Sequence, residues 1–173
     1  RLCVKFVDGW NYIRLSQLLR SSATIADMHG DPTFEDVLAA AERILGHVHR
    51  TPVMTSTAID GIAGARLYFK CENMQKVGAF KARGATNAVL SLDAEAAGRG
   101  VATHSSGNHA AALAYAAGVR GVPAHVVMPS SAPPVKRAAV EGYGAVVMPV
   151  CWDSRRPTDN ALYRVVMQQF GED

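Results

Sequence analysis

The sequence predicts an α/β fold, a three-layer arrangement with a parallel sheet and helices on both faces. Two observations lead there. Three short apolar runs, over 101–104, 123–128 and 144–150, read as strands, and the middle one (PAHVVM) has the continuous apolar character of a fully buried strand. The stretches between them have helical patterns about ten residues long. Helical crossovers of that length join neighbouring parallel strands with right-handed connections.

The elements follow in chain order. Organised patterning begins at Asp31, where Pro32 and Thr33 precede FEDVLAAAERIL. Thr33 and Asp36 have the spacing of a helix cap, Val37, Leu38, Ile44 and Leu45 suit one helix face, and Gly46 stops the helix. After a turn at Thr51-Pro52, RLYFKC over 66–71 reads as a strand. Helices are expected over 80–92, 108–117 (Ala-rich) and 132–141, the last with Pro133 and Pro134 in its first turn. No repeats or low-complexity tracts occur.

The two ends differ from this body. Residues 1–27 carry four basic and two acidic residues. Their Arg and Ser content has a faint transit-peptide character that Asp8 and Asp27 oppose, so an ordinary extension, or sequence upstream of a start at Met28, is preferred. Residues 151–160 (CWDSRRPTDN) are polar and turn-rich, and 161–170 could form one last amphipathic helix.

Composition excludes several classes. At 49% hydrophobic and 19% charged, the chain is ordinary for a folded domain. A net charge of +3 with scattered basic residues gives no case for nucleic acid. No apolar run reaches the ~18 residues of a membrane span. Cys3, Cys71 and Cys151 lie far apart, which fits a reducing compartment, and the expected location is cytoplasmic. His47, His49, His104, His109 and His125 lack zinc-ligand spacing, so no metal is expected. Gly98-Arg99-Gly100 is too short for a dinucleotide fingerprint.

Two segments can carry chemistry. In ENMQKVGAFKARGA (72–85), Gly78 and Ala79 give an uncrowded approach to Phe80 and Lys81, with Lys81 where a helix should start. Burial and a positive helix end would both favour the free amine, as attack on a carbonyl requires. A lone lysine, though, is most often a solvated surface residue. In THSSGNH (103–109), a turn between strand and helix offers hydroxyls and backbone N–H groups to an anion, at the carboxyl end of a strand where open parallel sheets bind ligands. The ordinary alternative is that Ser105 or Ser106 simply caps the helix.

Together the two segments resemble the fold-type II pyridoxal-phosphate enzymes, specifically the serine racemase and serine/threonine dehydratase family. The likeness runs from about Phe34 to Val150, through RTPVMTS, YFKCEN and PSSAPPVKRAAVEGYGA. The resemblance implies the tryptophan synthase beta-like fold in truncated form. It divides the chain into an extension (1–30), the start of a large lobe (31–91), a small α/β lobe (92–150) and a divergent tail (151–173). It implies pyridoxal 5'-phosphate as cofactor, bonded to Lys81, with Phe80 beside the ring and Asn108 on its hydroxyl. Ser105, Ser106, Gly107, Asn108 and His109 would cradle the substrate carboxylate. Ser106 would be the acid/base opposite Lys81, which keeps racemisation open beside elimination.

The function implied is deamination and/or racemisation of L-serine or L-threonine, with 3-hydroxyaspartate also fitting the chemistry. The complete enzyme would be a homodimer acting on a small amino acid. Family members continue into a second half with a glycine-rich phosphate loop, and no run of glycines follows Lys81 here. The isolated chain is therefore expected to be impaired. The competing reading is a non-catalytic, truncated homologue that acts as a folded or partner-binding lobe. A synthase of different β-chemistry, such as cysteine synthase, stands well behind.

Overall fold

The computed structural model describes residues 32–150. The expectations for 1–30 and 151–173, including the helix over 161–170, lie outside those residues.

Helix α1 (Phe34–Arg43) starts as the sequence reads: the Thr33 hydroxyl accepts from the Asp36 N–H at 3.2 Å, and the Asp36 carboxylate accepts from the Thr33 N–H at 2.9 Å. Those donors hold the Asp36 carboxyl below its usual range, the backbone N–H of Thr33 contributing most. The helix buries none of its residues. A two-residue ribbon follows, β1 (Val53–Met54) paired antiparallel with β2 (Phe69–Lys70). The strand read over 66–71 therefore shrinks to two residues, because β1 offers only two residues to pair with. Between them lies a helix the sequence pattern did not reveal, α2 (Thr57–Ala63), capped by Ser56.

Two tight 3-10 turns, Glu72–Met74 and Lys76–Gly78, lead into α3 (Lys81–Leu90) and the short α4 (Ala94–Gly98). Then come β3 (Val101–His104), α5 (Asn108–Arg120), β4 (Ala124–Pro129), α6 (Pro134–Gly142) and β5 (Val146–Val150). The three strands are parallel in the order β3-β4-β5, with Val101 opposite Ala124 and His125 opposite Val146. Because the order never reverses, successive right-handed crossovers put α5 and α6 on the same side, where they touch.

The core sits around β4, where Val126, Val127 and Met128 are fully buried. Helix α5 buries Ala110, Ala112, Leu113, Ala114, Ala116 and Ala117, which leaves it apolar nearly all round. Its small side chains let α3 lie close, through Ala82, Ala85 and Val89. At the entry to β3, Gly100 has φ +79°, and a Cβ there would stand 2.8 Å from the Pro123 carbonyl oxygen. Both facts require glycine. Among the described residues no helix is long and apolar enough to cross a membrane.

Candidate active site

Helices α3 and α5 pack against each other. In the last turn of α5, the Arg120 guanidinium donates to the carbonyls of Val89 and Leu92, at and just beyond the end of α3. These bonds join the C-terminal ends of the two helices. Lys81 begins α3 and Asn108 begins α5, so each chemical segment of the sequence leads into one helix of the packed pair.

Neither N-terminus has a side-chain cap. Helices α1, α2 and α4 have side-chain caps from Thr33, Ser56 and Asp93, and an acidic residue in the first turn. Helices α3, α5 and α6 have neither. At α3 the Ala82 and Arg83 N–H groups donate to the Ala79 and Phe80 carbonyls at 3.2 and 3.0 Å, and the positive dipole ends of α3 and α5 favour an anion. The simple capping alternative for the serines does not hold. The Ser105 hydroxyl accepts from the Gly107 N–H at 3.3 Å, which folds the turn back on itself instead of capping α5. Ser105, Ser106, Gly107 and His109 are half-buried and Asn108 is exposed. The Ser105 N–H donates to the Val127 carbonyl at 3.1 Å, so the turn hangs directly from β4.

On the α3 side, Ala79 is buried while Phe80 is exposed, with the Lys81 amine 5.2 Å from the centre of its ring. The approach is strained. Val77 takes φ 56° and ψ 14°, a left-handed conformation rare for a β-branched residue, followed by Gly78 at φ 67°.

Sequence reasoning missed the polar cluster beneath this loop. Arg83 grips Glu72 with two parallel bonds, Nε to Oε2 at 2.9 Å and Nη2 to Oε1 at 2.8 Å. The Thr51 hydroxyl donates to Glu72 Oε1 at 2.6 Å, and Arg83 Nη2 also donates to the His49 carbonyl at 3.1 Å. These donors hold the Glu72 carboxyl at about 2, first through the Arg83 hydrogen bonds, then the Thr51 hydroxyl and the charges of Arg83 and Lys70. Buried Gln75 reads the His49 backbone in both senses, accepting its N–H at 2.8 Å and donating to its carbonyl at 2.7 Å. The partners lie up to 34 residues apart, so no local spacing announces them.

Residues 44–171 match the family model described as pyridoxal-phosphate dependent enzyme. The chain belongs to that family. Pyridoxal phosphate is the family's cofactor, and the residues present fit such a group: an amine at a helix start beside an exposed ring, and a second helix start, at Asn108, without a side-chain cap. The match runs beyond Val150, where the motif-based likeness ends, to residue 171. The chain is 59% identical over 141 residues to the β-hydroxyaspartate dehydratase of Paracoccus denitrificans, covering 82% of this chain and 44% of the relative. It is 55% identical over 115 residues to the serine racemase of Dictyostelium discoideum, covering 66% and 36%. The solved structure of maize serine racemase superposes with a TM-score of 0.72 at 46% identity, over 79% of this chain and 41% of that one. That likeness bears out the α/β fold expected from the sequence. The chain thus spans less than half the length of these relatives.

Proposed function

We propose that this chain forms part of an enzyme that deaminates and/or racemises small β-hydroxy amino acids, L-serine or L-threonine, with pyridoxal phosphate held on Lys81. The observation that carries the reading is that Lys81 and Asn108 begin two helices packed against each other, neither start having a side-chain cap. When bound, the cofactor supplies an electron sink for the charge left at the substrate Cα. The protein's own residues do the rest. Lys81 Nζ would make the covalent attachment and, once displaced by the substrate amine, would take the α-proton, with Phe80 beside the ring. Asn108 would hold the ring hydroxyl. Ser105, Ser106, Gly107, Asn108 and His109 orient the substrate carboxylate on the first N–H groups of α5. The Ser106 hydroxyl holds a proton on the face opposite Lys81, so either hand of the amino acid can form. Loss of the β-hydroxyl instead gives a 2-oxo acid and ammonia.

The similarity to a β-hydroxyaspartate dehydratase adds 3-hydroxyaspartate as a candidate substrate, since it carries the same β-hydroxyl. The complete enzyme is proposed to be a cytoplasmic homodimer built from the lobes 31–91 and 92–150 and the rest of the family fold. One observation favours a second reading, a folded partner-binding lobe: Leu45 and Ile62 are 80% and 88% exposed.

The test is covalent. Protein mixed with pyridoxal phosphate and reduced with borohydride should carry the pyridoxyl group on Lys81, mapped by peptide mass spectrometry, and Lys81→Ala should lose it. A stable fold with no label at Lys81 would favour the partner-binding reading.

A further inference from the structure

We infer that the Glu72–Arg83 pair is a positioning device for Lys81: it fixes both ends of the strained loop that presents the lysine. The inference rests on the reading of Lys81 as the cofactor lysine. Glu72 stands before the loop and Arg83 stands in the first turn of α3, two residues beyond Lys81. Between them the backbone passes through left-handed Val77 and Gly78, a conformation that glycine takes freely and valine rarely. Such strain, on the order of 1–3 kcal/mol for a non-glycine residue, persists only where surrounding contacts over-determine it.

The contacts here sit at both ends. Gln75 holds the start of the loop to the His49 backbone and also accepts the Lys76 N–H at 2.8 Å. At the far end, Arg83 binds Glu72 and the same His49 carbonyl. One short segment, His49 to Thr51, is thus the anvil against which both ends of the loop are set. With its fork committed to Glu72 and His49, Arg83 acts through Lys81 and does not reach for substrate. The part-buried location points the same way. A desolvated ion pair is a weak stabiliser compared with apolar packing, and its directional fork is what it contributes. The Glu95–Arg99 pair, four residues apart on exposed α4 and its cap, shows the ordinary surface alternative.

The experiment uses the full chain and compares Glu72→Gln, Arg83→Gln and Thr51→Val with two controls. Glu95→Gln removes the surface ion pair, and Val140→Ala loosens the core away from the loop. Each protein is treated with limiting pyridoxal phosphate, reduced, and mapped for the share of label on Lys81 against Lys5, Lys70, Lys76 and Lys136. Amide exchange over 76–83 and thermal melting are recorded on the same samples. The expected result is a roughly ten-fold fall in the Lys81 share for Glu72→Gln and Arg83→Gln, with faster exchange in the loop. Thr51→Val, which removes only the hydroxyl steadying Glu72, should move the same way by less and remain folded. Both controls should keep the native share, although Val140→Ala melts lower. Native selectivity in all three clamp variants would overturn the inference, as would an equal loss in Val140→Ala, since general stability would then explain it. An unselective native chain would instead overturn the reading of Lys81 itself, and the positioning role with it.

Discussion

Every buried hydrophobic side chain among the described residues falls between Ala79 and Ala145, whereas Phe34, Leu45, Val53, Ile59, Ile62 and Tyr68 all stand exposed in the stretch before. The two regions are held by different physics. From Ala79 onward, α3, α5 and the three strands exclude water from a shared core, and each fully buried Val or Leu contributes on the order of 1.5–3 kcal/mol. Before it, α1 and α2 bury nothing. Their helical form rests on caps at Thr33 and Ser56, and the ties from this stretch to the rest include polar bonds of Arg43 to Asn87, of the Tyr115 hydroxyl to the His47 carbonyl, and of Gln75 and Arg83 to the His49 carbonyl. The proposed active-site lysine lies at the seam, which explains why a polar clamp stands where apolar packing begins.

That contrast can be broken by mutation. The largest effect is expected in the core: Met128→Ala, at a fully buried position on β4, should cost about 2–5 kcal/mol in a denaturant titration. A value near zero would show that the core is not organised around β4. Next comes the seam. Glu72→Gln should cost about 1–3 kcal/mol by removing a charged hydrogen-bond partner of Arg83.

The same residue sets an acid response. The Glu72 carboxyl is lowered from about 4.5 when unfolded to about 2 when folded. Its contribution is therefore complete above pH 4.5 and is lost as pH falls through 2. Stability measured across that window should fall less steeply in Glu72→Gln than in the native chain. Smaller again, Thr33→Ala should unwind the start of α1 at a cost of roughly 0.5–1 kcal/mol, seen as faster amide exchange there with little change in global melting. Smallest, Ile62→Ser at an exposed position should stay within about 0.5 kcal/mol. If it matched Met128→Ala, the distinction between the two regions would fail.

Legibility in the sequence follows the same divide. Strands β3, β4 and β5 and helices α3, α5 and α6 were readable from their apolar runs and patterning, whereas the five-residue α4, which buries only Ala97, was not. The cap at Thr33 and Asp36 was readable because its partners are three residues apart. Helix α2 was not, being one short segment with Gly61 in its interior and no buried face. The expected strand over 66–71 failed in length because pairing depends on a partner, and Val53–Met54 supplies two residues. Lys81 and the Ser105–Asn108 turn were each legible as chemistry. That the helices they begin pack against each other was not, because the packing rests on residues far apart in sequence, such as Arg120 on the Val89 and Leu92 carbonyls. The Glu72–Arg83 clamp left no local signal at all.

The most direct test of the central claim is a crystal structure of the chain after reductive attachment of pyridoxal phosphate. The account predicts the pyridoxyl group on Lys81 Nζ, with its ring beside Phe80 and its polar edge turned toward Asn108 at the start of α5. A group attached to Lys81 but lying away from the Ser105–Asn108 turn, or one attached to another lysine, would contradict it.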